Sequence, residues 1–233
     1  MKTNNDILAF VCTAILHFTG AAQWKAGIEQ YVYTNVPVSE AFVPLIHIQT
    51  PGNFYGELRY NYEEGRTISL FAGKTFSGGH DLEYELTPMA GCSTGRFTGF
   101  SLAANTGMEW KNFFFSSQAQ YSKSVKRKDS LNLKTNPADF FYSWSELGYN
   151  FTEHFFTGVS LQDTRQAGEN ICEPGILAGF SVKKLCFPFY VFRPFRADRY
   201  FIMGITYQID LKKRKQAGMQ LPVYPYERND VTL

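Results

Sequence analysis

The chain has 233 residues, and its 23 lysines and arginines against 21 aspartates and glutamates give a formal net charge of +2. This balance excludes a strongly basic nucleic-acid binder and a strongly acidic protein. Hydrophobic residues make up 44% of the chain and charged residues 19%, which excludes wholesale disorder. Aromatic residues reach 17% and 19 glycines accompany them, while the mean hydropathy is only −0.24. Such a composition favours alternating β-strands over helices.

Residues 1–22 predict a secretory signal peptide. Lys2 lies in a short polar start, residues 7–16 form an apolar run, and Gly20-Ala21-Ala22 places small residues before a cleavage site. A membrane anchor helix is the alternative, but ten apolar residues are too few to span about 30 Å of hydrocarbon. We therefore expect export and a mature chain that begins at Gln23.

Apolar and polar residues alternate along much of the remaining chain. Residues 199–211 place Phe201, Met203 and Ile205 on one face, whereas Thr206 lies on the other. Because a helix would need spacings of three and four, this period of two predicts strands. About twelve strands are predicted, with ten as the lower count. They begin near residues 24, 41, 53, 66, 82, 96, 112, 138, 154, 175, 186 and 199.

The strands predict an all-β fold, an antiparallel up-and-down transmembrane barrel over residues 23–211. A soluble ligand barrel has eight strands, fewer than we count, and segments of about 10–13 residues are long enough to cross a bilayer at a tilt. An even strand number returns both chain ends to the periplasm and places the two longest predicted loops, the polar stretches 122–137 and 162–174, on the outer face. A secreted or periplasmic β-sandwich is the alternative. Aromatic residues near the predicted strand ends suit the interfacial girdles of a membrane barrel: Tyr60, Tyr62, Trp110, Phe113, Tyr121, Trp144, Tyr149 and Tyr207.

Three segments, 53–62, 140–149 and 199–207, resemble bacterial outer-membrane β-barrel proteins. They read NFYGELRYNY, FFYSWSELGY and RYFIMGITY. Within that group they are most similar to small uncharacterised barrels of the Bacteroidota. The resemblance implies an outer-membrane location, contact with outer-membrane lipid and insertion by the barrel-assembly machinery. It supplies no functional residues.

Residues 212–233 predict a basic, flexible periplasmic tail. Five basic side chains face two acidic ones there, and Pro222 and Pro225 interrupt a stretch without sustained alternation.

Candidates for enzymatic chemistry are few. His80 lies beside Asp81 and close to Ser77, which superficially resembles the groups of a lipid-modifying hydrolase. Gly78 and Gly79 more simply mark a turn, and adjacent strand residues point to opposite faces. The cysteines of the predicted mature chain, Cys92, Cys172 and Cys186, are odd in number and form no metal pattern. We therefore predict no catalytic residue, no metal and no cofactor.

Charged residues at inward positions of the predicted barrel suggest a hydrated lumen. The candidates for lining it are Glu57, Arg59, Glu83, Glu85, Glu109 and Glu146. Carboxylates this close repel one another unless water or cations screen them, so we expect a small porin-like channel with a partly acidic lumen.

A salt-bridged plug that uses Arg59, Arg193 and loop lysines is the alternative for the interior. A non-conducting accessory barrel of an envelope complex, or less readily a lipid-modifying enzyme, is the alternative for function. The partners expected are lipid and small solutes or an envelope protein, and not nucleic acid.

Overall fold

The computed structural model describes residues 24–34, 41–125 and 138–210. The predicted signal peptide 1–22, the predicted tail 212–233 and most of the stretch 122–137 lie outside the described residues. The described part of the chain contains no helix that is long and apolar enough to cross a membrane. The strands are β1 (Lys25–Tyr33), β2 (Phe42–Gln49), β3 (Phe54–Tyr60), β4 (Ile68–Lys74), β5 (Phe76–Gly78), β6 (Leu82–Thr94), β7 (Gly99–Trp110), β8 (Phe113–Ser124), β9 (Phe140–Asn150), β10 (Phe155–Gln166), β11 (Glu169–Val182), β12 (Leu185–Phe192) and β13 (Tyr200–Asp210).

These strands form one closed antiparallel barrel. Strands that are neighbours in sequence pair, except that β4 and β5 both pair with β6, and β1 pairs with β13 from Lys25 opposite Asp210 to Tyr33 opposite Ile202. The ring contains twelve positions, because β5 continues β4 in the same register along β6. The prediction of an up-and-down barrel of about twelve strands is confirmed. Closure leaves no unpaired edge, which is the condition for a sheet to be stable in lipid.

Two prolines account for interruptions in the ladder. The pairing of β4 and β5 with β6 skips Lys74 and Thr75, which lie opposite Pro88 and Thr87. The pairing of β12 with β13 likewise skips Phe187 and Pro188. Because proline has no N–H to donate, a ladder weakens at such a position although the strand continues.

The two ends of the barrel differ in their connections. At the turn end, where Lys25 begins β1 and β13 ends, the connections have two to four residues. The opposite, loop end carries the longest connection, 125–139. The prediction of a loop at 162–174 is wrong, because β10 and β11 run through it to a two-residue turn. In that turn Ala167 and Gly168 have φ of 53° and 87°, the positive values that a tight hairpin requires.

The outward face of the barrel is apolar. It exposes large side chains on successive strands, and Leu102 on β7 reaches 67% exposure. These side chains include Leu70, Leu102, Leu147, Val159, Ile176 and Ile205. Exposed aromatic residues lie near both ends of the strands: Phe54, Trp110, Phe113, Phe155 and Tyr207 at the turn end, and Phe42, Tyr60, Phe100, Tyr121 and Phe201 at the loop end. An apolar band between two aromatic girdles is the surface that a lipid bilayer requires.

Two residues predicted for the girdles lie inside the barrel instead. Trp144 is buried in the middle of β9, where even-numbered residues point inward, and it packs against Tyr31 and Tyr190. Tyr62 follows β3 and reaches Tyr142 and Gln118 across the interior. For these two aromatics the girdle assignment is wrong, because the side of the sheet matters as well as the position along the strand.

Six inward glycines lie directly opposite a ring on the neighbouring strand. In each pair the ring occupies the place where a Cβ atom of the glycine would be. The pairs are Gly27 with His47, Gly91 with Phe71, Gly148 with Phe114, Gly175 with Phe192, Gly179 with Phe156 and Gly204 with Tyr31. The glycines therefore let these rings lie against the barrel wall instead of projecting toward its axis.

Candidate functional site

The barrel interior has an aromatic side and a polar side. The aromatic side is formed by β9–β13 with β1, and its buried core includes Tyr31, Trp144, Phe156, Tyr190 and Phe192. The polar side lies on β3–β8, where serines, threonines, amides and charged residues make up most of the buried side chains. Since buried polar groups need hydrogen-bond partners, the polar side forms an extended network.

Arg59 is at the centre of this network and is only 2% exposed. Its Nε donates to Glu57, and its Nη1 donates to Oε1 of Gln120 at 2.7 Å and lies 3.6 Å from Oε1 of Glu63. Gln120 is on β8, with β4, β6 and β7 between it and β3 in the ring. The guanidinium group therefore bridges the interior from one wall to another.

The faces of the guanidinium group are covered by aromatic rings. The carbon Cζ of Arg59 lies 4.4 Å from the centroid of Tyr62 and 4.3 Å from that of Phe71. A delocalised cation stacks favourably on such rings, and its edge remains free to donate hydrogen bonds. Rings on the faces and acceptors at the edge together hold the group in one position.

Polar contacts continue from Arg59 toward the loop end. Gln120 donates to Oγ of Ser122 at 2.7 Å, and the Ser122 hydroxyl lies 2.8 Å from that of Ser101. Ser69 donates to Glu63 and also lies 2.8 Å from the hydroxyl oxygen of Ser93. These hydroxyl side chains are each at most 6% exposed, and the buried rings of Phe97 and Phe140 pack edge-on against each other at the loop end.

Toward the turn end the polar side becomes acidic. Asn105 donates to Oε2 of Glu57 at 3.4 Å, and beyond it Glu83 and Glu109 lie directly opposite each other on β6 and β7. Glu83, Glu85 and Glu109 are half-buried. The basic side chains that act electrostatically on Glu85 include Lys25 and His47. These three carboxylates form the acidic mouth, the name used for this group below.

The six residues predicted to line the lumen thus fall into three places. Glu57 and Arg59 form a buried ion pair in the middle of the polar side. Glu83, Glu85 and Glu109 form the acidic mouth. Glu146 is buried on the aromatic side, and its polar neighbours are Tyr190, Trp144 and Ser116.

Sequence reasoning did not identify the partners of these charges. Glu63 and Gln120, which contact Arg59, were not among the candidates, nor was the basic residue Lys25. Gln118, Gln120 and Ser122 alternate with Ala119 and Tyr121, so the period of two alone could have placed Gln120 inside. Arg193, the second cation of the predicted plug, lies at the loop end instead, where it pairs with Glu173 at 2.8 Å and Asp198 at 2.5 Å.

The histidine cluster considered for catalysis is open to solvent. The side chains of His80 and Asp81 are 99% and 93% exposed, and their Nδ1 and Oδ1 atoms are 3.2 Å apart. A ring this exposed is not held against Ser77 on β5, as a general base must be held against its nucleophile. In the three described ranges, no group of three or more His, Cys, Asp or Glu residues is placed to hold a metal ion. Cys92, Cys172 and Cys186 are all free thiols.

Comparisons with known proteins identify the same fold. No protein-family model matches the sequence, and no curated protein is significantly similar to it. Among solved structures, the NanC porin matches with a TM-score of 0.52 at 6% identity, over 78% of this chain and 97% of that chain. The KdgM porin in complex with disordered oligogalacturonate matches with a TM-score of 0.50 at 9% identity, over 78% of this chain and 98% of that chain. The chain therefore has the barrel fold of outer-membrane porins.

Proposed function

We propose that this chain is an outer-membrane, porin-like channel for small solutes, exported by the signal peptide 1–22 and inserted by the barrel-assembly machinery. The observation that carries this proposal is the polar side of the interior, which runs from the acidic mouth past Arg59 to the serines near the loop end. The apolar outer band with its two girdles supports a position in lipid. A place among the small barrels of the Bacteroidota is part of the same proposal.

The charges along the polar side favour cations. The acidic mouth supplies three carboxylates, and Glu57 and Glu63 add two more next to Arg59. Lining charge of one sign raises the local concentration of ions of the opposite sign and sets the selectivity of a pore. The channel should therefore be weakly cation-preferring, with its carboxylate-lined mouth at the periplasmic end.

The solute of a structural neighbour does not transfer to this chain. Oligogalacturonate, with which the KdgM porin was solved, carries a carboxylate on each sugar and is a polyanion. An acidic mouth would repel such a solute. We therefore propose small cationic or neutral solutes for this chain.

Planar-bilayer recording of the purified barrel tests the proposal. The variant that replaces Glu83, Glu85 and Glu109 with Gln should show a lower cation-over-anion permeability ratio than the natural protein. Glu153→Gln is the matched control, because Glu153 is an exposed carboxylate in a connection at the same end but outside the interior. Equal permeability ratios in all three proteins would contradict the acidic-mouth assignment.

A non-conducting accessory barrel is the second candidate function. The observation that favours it is the packed middle of the interior, where Arg59, Gln120 and Glu146 are each at most 4% exposed. Folded protein that shows no conductance in the bilayer, in either the natural or any lumen-altered form, would support this function.

A further inference from the structure

The structure points to Arg59 as a latch that closes the polar side of the interior, an inference that rests on the proposed channel function. We define the Arg59 latch as Arg59 with its three acceptors Glu57, Glu63 and Gln120. It sets both how much of the interior is open and how strongly the pathway prefers cations.

The latch lies in the middle of the polar side. Arg59 bridges β3 and β8, so its side chain lies across the polar side between the acidic mouth and the loop-end serines. Its residual exposure of 2% means that water has almost no access to it at this level. The other side chains around Arg59, among them Tyr62, Phe71 and Gln120, extend from the barrel wall, so removing the Arg59 side chain would open a space next to the acidic mouth.

The contacts of the latch suit a guanidinium group. A guanidinium group presents its donors in a rigid plane, and the acceptors from β3, the following connection and β8 approach the edge of that plane. The rings of Tyr62 and Phe71 cover its faces. A lysine could supply the charge but not this planar arrangement, so charge and geometry can be separated by substitution.

Removing the Arg59 side chain would leave two carboxylates without their cation. Glu57 and Glu63 would then face the space left by the guanidinium group without its positive charge. Carboxylates exposed in this way bind water and small cations, because isolated buried charges are unfavourable. The opened pathway should therefore conduct more current and select more strongly for cations.

The experiment compares Arg59→Ser, Arg59→Lys and Gln120→Ala with the natural protein by single-channel recording in planar bilayers. Arg59→Ser should raise the conductance about twofold or more and increase the cation-over-anion permeability ratio. Arg59→Lys should increase the conductance less and keep the permeability ratio of the natural protein. Gln120→Ala removes the acceptor on the far wall and should increase the conductance while the charge is unchanged.

Two controls make the result decisive. Arg165→Ser removes an exposed arginine of β10 outside the interior and should leave conductance unchanged. Heat-modifiable gel mobility verifies that each variant is folded, and Gln120→Ala tests the latch if Arg59→Ser does not fold. If the natural protein conducts, and the folded variants Arg59→Ser and Gln120→Ala have the same conductance, the latch is wrong but the channel function stands. If the natural protein does not conduct but Arg59→Ser does, the result supports both the latch and the channel function. If no folded variant conducts, both proposals are wrong.

Discussion

The pairing of glycines with rings makes a strong prediction about the stability of the barrel. Gly179 on β11 lies directly opposite Phe156 on β10, and a Cβ atom at position 179 would lie 2.2 Å from Cζ of the ring. Carbon atoms in contact are normally about 3.5–4.0 Å apart, so Gly179→Ala would force the ring to move by about 1.3 Å or more. Phe156 is only 4% exposed and packs edge-on against Phe114, so it has little space in which to move.

The expected cost of Gly179→Ala is about 1–3 kcal/mol in the free energy of unfolding, the usual range for overpacking. Denaturant unfolding of the barrel in phospholipid vesicles, followed by tryptophan fluorescence, measures it. Gly56→Ala is the matched control, because this strand glycine has only ordinary contacts, the nearest at 3.5 Å from Ile48. That control should be neutral or stabilising by about 0.4–1 kcal/mol.

A double-mutant cycle assigns the cost to the ring. In a Phe156→Leu background, where the ring atoms above Gly179 are absent, Gly179→Ala should cost less than in the natural protein, with a coupling of about 0.5–3 kcal/mol. The reasoning fails if Gly179→Ala costs no more than Gly56→Ala. It also fails if the cost is the same with and without the ring.

Three further predictions concern the outer face, the loop end and the topology. Ile205→Arg, at an exposed mid-strand position of β13, should destabilise the barrel in lipid by about 2–4 kcal/mol. The control Ile205→Leu should be nearly neutral, and equal unfolding curves for the two variants would contradict a lipid-facing β13. Desolvation raises the pKa of Asp198, but the hydrogen bond from Arg193 and the charge of Arg196 outweigh it and hold that pKa below its usual range. The ion pair should therefore be complete above about pH 4 and be lost as the pH falls through the lowered pKa, and an NMR titration should show Arg193→Gln raising that pKa. In single-cysteine proteins on intact cells, a membrane-impermeant maleimide should label the exposed Cys172 near the loop-end hairpin but not the buried Cys186, and an unlabelled Cys172 would indicate the inverted topology.

The strands could be predicted from sequence wherever lipid contacts them. Eleven of the twelve predicted starts lie within three residues of the observed ones, because a strand with one face in lipid and one inside must alternate. The exception is β11, which begins at Glu169 and not near 175. Its first two residues, Glu169 and Asn170, are both polar and pair with Gln166 and Arg165 at the end of β10. The backbone pairing of this hairpin does not require alternation, so it leaves no period in the sequence.

The interior could be predicted only in part, for a different reason. The period of two indicates which residues point inward, and it placed Glu57 and Arg59 on the same face. It does not indicate which residues meet across the barrel, since Arg59 and Gln120 are 61 residues apart and three strands lie between them. That contact depends on the closure of the ring and on the stagger of its strands, which are properties of the whole barrel. Trp144 was placed at the membrane interface for a different reason, because its position along the strand was considered without its face, which it shares with the inward Glu146.

The two sides of the interior contribute differently to the free energy of folding. On the aromatic side, rings that pack against glycines bury apolar surface and stabilise the wall. On the polar side, the desolvation of Arg59, Glu57 and Glu63 offsets most of what their attraction contributes, and apolar replacements of buried ion pairs are often neutral or more stable by about 1–4 kcal/mol. A barrel built only for mechanical stability would gain little from such charges. Changes at Gly179 should therefore act on the free energy of unfolding, whereas changes at Arg59 and the acidic mouth should act mainly on conduction.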